Sequence, residues 1–208
     1  MKGLLLKEFY MAVKYYKMSF LIDIVFIAVS FVSKENLAFL IFPLIISGVL
    51  PITMLGFDEK FKWTHYSGTL PYSAAQLVSV KYLFGLLVQA AASILIFSAV
   101  LVRNKVMDGA AIPLSDAAMM VGGIFVVSLI MPALCLPICF KFGTEKGRII
   151  YLISMCALGA GIMSFIPEGE IPDLTELPVL IIFASAVVIY ALSWLVSIAV
   201  YDKRDLKG

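Results

Sequence analysis

Six apolar runs, at residues 18–32, 37–56, 82–102, 117–140, 149–166 and 177–200, are separated by polar intervals too short to enclose a core of their own. This alternation leaves the chain few ways to fold. A soluble domain needs a polar shell, and 62% hydrophobic against 14% charged residues cannot supply one, since soluble domains carry roughly 45–50% apolar and about 25% charged residues. Most of the runs approach the roughly 20 residues that cross a hydrocarbon core as a helix. The predicted fold class is therefore all-α, a polytopic membrane protein of six transmembrane helices forming one domain over residues 1–208. The run at 18–32 is short for a span and is expected to borrow from its flanks or to thin the bilayer.

Before the first run, Leu5, Phe9, Ala12, Val13 and Tyr16 recur at three- and four-residue steps, with Lys7, Lys14 and Lys17 elsewhere on the wheel. That pattern predicts a helix over residues 2–17 lying in the membrane interface with its lysines toward anionic headgroups; an early start to the first span is the alternative. The opening lysine and leucines imitate a signal peptide, but Lys7, Glu8, Lys14 and Lys17 interrupt the apolar stretch and no small-residue cleavage site follows, so no cleavage is expected. Six spans place both termini on one side. Thirteen of the sixteen Lys and Arg residues then fall on that side, with Lys34, Arg103 and Lys105 opposite. By the positive-inside rule the termini and the intervals 57–81 and 141–148 are cytoplasmic, in a multi-pass protein of the cell membrane. The loop at 167–176, with Glu168, Glu170, Asp173 and Glu176, is outside.

Within the second run, Pro43 and Pro51 predict a kinked helix, each proline requiring a neighbour or a water to satisfy the carbonyl it leaves without a donor; Gly122, Gly123, Pro132 and Pro137 punctuate the fourth run. Asp23 and Gln89 are the candidate polar groups of a transport path. Asp23 is equally readable as an interfacial carboxylate. Ser93, Ser128, Ser154 and Ser185 add little charge, so the path walls are expected to be largely apolar. Ala157, Gly159, Ala160 and Gly161 offer a smooth surface for helix approach. Cys135, Cys139 and Cys156 read as small buried apolar residues.

Chemistry of other kinds finds little material. His65 is the only histidine, with no second ligand nearby for a metal and no partner for a hydrolase triad. No GxxxxGK[ST] is present, and a single intramembrane acid, Asp23, gives an ion relay almost nothing to work with. An intramembrane protease would need paired catalytic groups within the spans, and these are lacking. No cofactor, metal or nucleic acid is expected on this chain. The interval 57–81, FDEKFKWTHYSGTLPYSAAQLVSVK, stands apart because it keeps Trp63, Tyr66, Leu70, Tyr72 and Leu77 among its charges. It predicts one or two short amphipathic helices docked on the membrane or on a partner. Trp63 and Tyr66, three apart, share a helix face. Pro71 ends or starts a segment that Ser67, Thr69 or Ser73 can cap.

The opening MKGLLLKEF, the interval FDEKFKWTHYSGTLPYSAAQLVSVKY with Lys81 ten residues beyond Pro71, and LPICFKFGTEKGR after the fourth run together resemble the ABC type-2 permease family of bacterial exporters. The chain is similar in particular to the short six-span permeases of the phenol-soluble modulin exporter and related peptide-export systems. This resemblance implies a half-transporter: two copies of the chain, or the chain with a paralogous permease, seated on two separate ABC ATPase subunits that hold ATP and Mg. It implies that residues 2–17 form an elbow helix and that the interval after the second span forms a coupling helix entering a groove on the ATPase. The expected ATPase contacts are then Asp58, Glu59, Trp63, Tyr66, Leu70, Pro71 and Tyr72, with Lys141, Glu145, Lys146 and Arg148 as a second cytoplasmic contact. Export by alternating access follows, with amphipathic or toxin peptides or other hydrophobic compounds as cargo. A non-transporting membrane anchor or sensor that binds a cytoplasmic partner would use the same interval.

Overall fold

The structure, a computed structural model, describes residues 2–32, 39, 41–67, 69–106, 113–165 and 179–205. Every element of length among them is helical: α1 (Lys2–Tyr15), α2 (Lys17–Val32), α3 (Ile41–Lys60), α4 (Trp63–Ser67), α5 (Ala74–Val106), α6 (Leu114–Phe142), α7 (Thr144–Phe165) and α8 (Val179–Asp205). The first break falls at Tyr16, between the interfacial pattern and the first apolar run, although backbone bonds from Tyr16 N–H to Ala12 O (2.8 Å) and from Phe20 N–H to Tyr16 O (3.1 Å) carry the ladder across it. Four helices among the described residues are long and apolar enough to cross a membrane, within α3, α5, α6 and α8. α2, at 16 residues, and α7, at 22, occupy the first and fifth runs.

Element ends differ from the sequence expectation in one direction. Polar intervals are absorbed into helices, because a helix end in water keeps its backbone bonded whatever the side chains are. α3 extends to Lys60 and α5 begins at Ala74, so residues 57–81 form no free loop. Arg103 to Val106 close α5, and Leu114 to Asp116 open α6. Pro43 is the third residue of α3, where a missing N–H costs no helical bond, so it causes no kink. Cys135 and Cys139 are buried as expected, whereas Cys156 is exposed on α7. The turn at 33–36 and the acidic loop at 167–176 lie outside the described residues.

Two prolines inside α6 explain how the bundle is held. Pro132 has no N–H for the carbonyl of Ser128, four residues earlier, and the Gln89 side chain of α5 donates to that oxygen instead, Nε2 to O 2.6 Å. Pro137 likewise frees the carbonyl of Ala133, to which Ser193 Oγ of α8 donates. The Ser193 hydroxyl has one proton and spends it there, so the 2.8 Å bond between Tyr82 and Ser193 has Tyr82 as donor. Tyr82 in turn accepts from Ser197 at 2.7 Å. The result is a one-directional chain from Ser197 through Tyr82 and Ser193 to Ala133 O. Tyr190 OH donates to Tyr82 O at 2.8 Å and Trp194 Nε1 to Ser79 Oγ at 2.9 Å, completing the seam between α5 and α8.

The charged stretch 141–148 is not a turn either. Lys141 and Phe142 end α6, Gly143 alone connects, and Thr144 starts α7. Gly143 has φ +91°, a conformation that costs L side chains and suits glycine. The hairpin is so tight that a Cβ at Gly147 would lie 1.9 Å from Cys139 Sγ.

Two outcomes are expected. Gln89→Leu strands the Ser128 carbonyl and lowers stability by about 1–2 kcal/mol, read from thermal unfolding in detergent. The double variant Gln89→Leu with Pro132→Ala recovers most of that, because an alanine in place of the proline restores the missing N–H. Gly147→Ala disrupts the α6–α7 hairpin and sharply lowers the yield of folded, monodisperse protein. Cys139→Ala in the same chain gives back part of the yield by removing the sulfur.

Candidate functional site

The interval singled out by its aromatics folds by identifiable local rules. α3 stops where Lys62 takes φ +53°, the left-handed conformation that ends helices. The five residues of α4 follow, then a tight turn in which Thr69 N–H and Thr69 Oγ1 both reach Tyr66 O, at 3.1 and 2.8 Å. Ser73 starts α5 through a reciprocal capping box: Gln76 N–H donates to Ser73 Oγ and Ser73 N–H to Gln76 Oε1, each at 3.3 Å. Of the three hydroxyls proposed as caps, Ser73 is the one that caps α5.

Beneath this segment lies a closed ring of four charges. Lys81 of α5 bonds Glu8 Oε1 of α1 at 2.8 Å and Asp58 Oδ2 of α3 at 2.5 Å. Lys7 bonds Glu8 Oε1 at 3.1 Å and also Asp58 Oδ1. Glu8, Asp58 and Lys81 are only 2%, 3% and 4% exposed. Two ammonium and two carboxylate groups cancel in net charge, which is the condition under which burial of Glu8, Asp58 and Lys81 beside the half-buried Lys7 is tolerable. Lys7 also lies over the Trp63 ring, 4.3 Å from its centroid, so the ring reaches α4.

The resemblance gives Asp58 to the ATPase contacts, and amphipathic periodicity gives Lys7 to the lipid headgroups. The structure corrects this: Lys7 turns inward to the ring. The buried stripe of α1 is Leu4, Glu8, Ala12 and, just past its end, Tyr16; Ala12 and Tyr16 are where the expected stripe has them, Leu4 and Glu8 take the places given to Leu5 and Phe9, and Phe9 and Val13 are exposed. An acid four residues from both Leu4 and Ala12 was the available signal for Glu8. No spacing rule pairs it with residues 50 and 73 positions away.

Trp63 and Tyr66 do share a face of α4, ring centroids 5.4 Å apart. Trp63 is half-buried under Lys7, and Tyr66 is 58% exposed. Leu70 and Tyr72 are half-buried and Pro71 is exposed. Glu59 faces the other way: its Oε2 accepts from Thr144 N–H at 3.1 Å and Thr144 Oγ1 at 2.5 Å, satisfying one of the orphan donors that open α7. The two candidate contact segments are thereby one assembly, joined through Glu59 and Thr144, the latter unnoticed in the sequence. Lys141, Glu145, Lys146 and Arg148 are exposed around it, with Lys141 and Lys146 over Phe142 at 4.9 and 5.7 Å.

The two polar groups of the spans are placed apart from this assembly. Gln89 is 1% exposed and engaged with the Ser128 carbonyl. Ser93, Ser128 and Ser154 bond back to carbonyls of their own helices at 2.8–2.9 Å, so their polarity is spent locally. Asp23 is half-buried on α2, with Oδ1 lacking a hydrogen-bond partner. The side chain of His65 and the surroundings of residues 157–165 are outside the described residues.

A family model described as ABC-2 family transporter protein matches residues 3–202, nearly the whole chain. The chain belongs to that family. No curated protein and no solved structure matches it. Membership makes this ABC-2 family protein a permease component of an ABC transporter and a multi-pass membrane protein, and it implies association with an ABC ATPase.

In this ABC-2 family protein, Lys81→Met leaves Glu8 and Asp58 to share Lys7. It is expected to cost about 3–5 kcal/mol and to speed amide hydrogen exchange across residues 2–15. The double variant Glu8→Met with Lys81→Met keeps the Lys7–Asp58 pair intact and recovers most of the protection. Equal exchange in all three proteins would show that the ring does not hold α1.

Proposed function

We propose that this chain is the membrane-spanning half of an ATP-driven exporter. It crosses the cell membrane six times, with α2 and α7 as the first and fifth spans and both termini cytoplasmic. It pairs with a second copy or a paralogous permease and sits on two ABC ATPase subunits that bind ATP and Mg. α1 is the elbow helix, and the segment from Asp58 to Tyr72, centred on α4, is the coupling element. Nucleotide binding closes the ATPase dimer, the coupling elements move with it, and the paired bundles open outward. The cargo is amphipathic peptide of the phenol-soluble modulin or toxin kind, or another hydrophobic compound.

The observation that carries this reading is the connection of α4 to everything around it. A segment that receives force must not bend independently of what it moves. α4 is flanked by the ends of α3 and α5; those ends are tied to α1 through Asp58, Lys81, Glu8 and Lys7. Glu59 ties the same end of α3 to the start of α7. Displacement of α4 is therefore delivered to α1, α3, α5 and α7 together, while Tyr66, exposed and aromatic, is free to enter a socket on the ATPase.

Tyr66→Ala is the direct test, because Tyr66 takes no part in the ring. In membranes reconstituted with the ATPase subunit that co-purifies with this chain, the variant is expected to weaken ATPase association by about 2 kcal/mol or more, roughly thirtyfold. Substrate-dependent ATP hydrolysis falls accordingly, with insertion and thermal stability unchanged. Trp63→Ala with Tyr66→Ala loses association altogether. Unaltered, substrate-coupled hydrolysis in both variants would refute the role of α4, and ATPase binding with no effect on its rate would favour a membrane anchor.

A further inference from the structure

A cleft of about 770 Å³ runs between α1, α2, α3 and α5, a volume within the roughly 300–1,000 Å³ of small-molecule sites. Its walls are apolar, with Phe9, Ile24, Leu50, Phe84 and Leu87 among them, and Asp23 stands in the lining. Phe9, Ile24 and Leu87 are each more than half exposed, so the cleft opens outward at the surface that the membrane reading gives to lipid. The other charged lining residue, Lys2, stands at the far end of α1, a helix roughly 20 Å long.

Asp23 is unlike the other carboxylates that meet the bundle. Glu8 and Asp58 share two lysines, although Glu8 Oε2 is itself buried without a hydrogen-bond partner, and Glu59 caps α7. Among the described residues no basic group lies within ion-pair distance of Asp23, and its Oδ1 is buried without a hydrogen-bond partner. A carboxylate among apolar side chains at a lipid-facing opening is costly unless a cation neutralises it. An aliphatic chain fills such walls without competing for hydrogen bonds, and an ammonium group supplies both the charge and the donor that Asp23 lacks.

We infer that this cleft is a binding site for a single-chain cationic amphiphile entering from the bilayer, its alkyl chain between α2 and α5 and its primary ammonium on the Asp23 carboxylate. The site goes beyond the export reading and does not depend on the ATPase. It requires only the folded chain in a membrane.

Equilibrium dialysis of tritiated dodecylamine against the full chain in phosphatidylcholine nanodiscs, with empty nanodiscs subtracted, tests it. One saturable site is expected, displaced by unlabelled dodecylamine but not by dodecanol or dodecanoate at the same concentration. Asp23→Asn keeps an acceptor and loses the charge, weakening binding about tenfold, while Asp23→Glu stays near wild type. Leu87→Trp crowds the cleft and abolishes binding with the charge untouched. Absence of a saturable component, equal displacement by dodecanol, or undiminished binding to Asp23→Asn would each overturn the inference. Should Asp23→Asn fail to reconstitute, the competition series on the unaltered chain decides by itself. A defect in Tyr66→Ala with dodecylamine binding intact bears on coupling alone.

Discussion

Lys81 is positioned where three helices must meet if this end of the bundle is to behave as one body. Its ammonium holds Glu8 of α1 and Asp58 of α3 at 2.8 and 2.5 Å from within α5, and Lys7 closes the circuit from the other side. Each of these charges would be expensive to bury alone, and none can leave without stranding its partners. That mutual dependence supplies specificity as well as cohesion. An apolar cluster at the same place could slide, whereas four charges with fixed partners allow one register of α1 against the ends of α3 and α5. The aromatic segment between those ends inherits its position from the ring, directly through Lys7 over Trp63.

Deeper in the bundle the organising problem changes from charge to backbone. In lipid no water repairs a missing hydrogen bond, so every proline in a span demands a donor from elsewhere. α6 contains two, and its two freed carbonyls are met by Gln89 from α5 and Ser193 from α8. A defect in one helix thus becomes the reason that three helices stay together. Of the side chains that look most suited to lining a polar path, Gln89 is consumed in this way, and Ser93, Ser128 and Ser154 spend their hydroxyls on carbonyls of their own helices. What is left facing outward is an apolar surface interrupted by Asp23, and this is why a lone carboxylate acquires significance here that it would not have on a soluble protein.

Much of this was readable without coordinates, for specific reasons. Long apolar runs with short separators can be solved only by helices in a membrane, and the aromatic residues kept within 57–81 marked the segment that the structure places over the charge ring. Ser73 was readable as a cap because S-x-x-Q is a local pattern whose partners are three residues apart. Helix limits were read less well, since hydropathy reports where lipid ends and a helix continues into water for as long as its backbone bonds are satisfied, as at Phe57–Lys60 and Ala74–Lys81. The inward turn of Lys7 was missed because amphipathic periodicity counts a lysine as outward by default.

The sequence by itself determined the class of protein, the cap at Ser73 as one of three local candidates, and the family to which nearly its whole length belongs, because these follow from hydropathy, local capping and residue order. Only the tertiary structure decided which charges neutralise one another, which side chains satisfy the carbonyls freed by Pro132 and Pro137, and that among the described residues no basic group comes within ion-pair distance of Asp23. Those are pairings between residues tens of positions apart. A chain specifies them through the packing of whole helices, and no periodicity along the sequence records which faces meet.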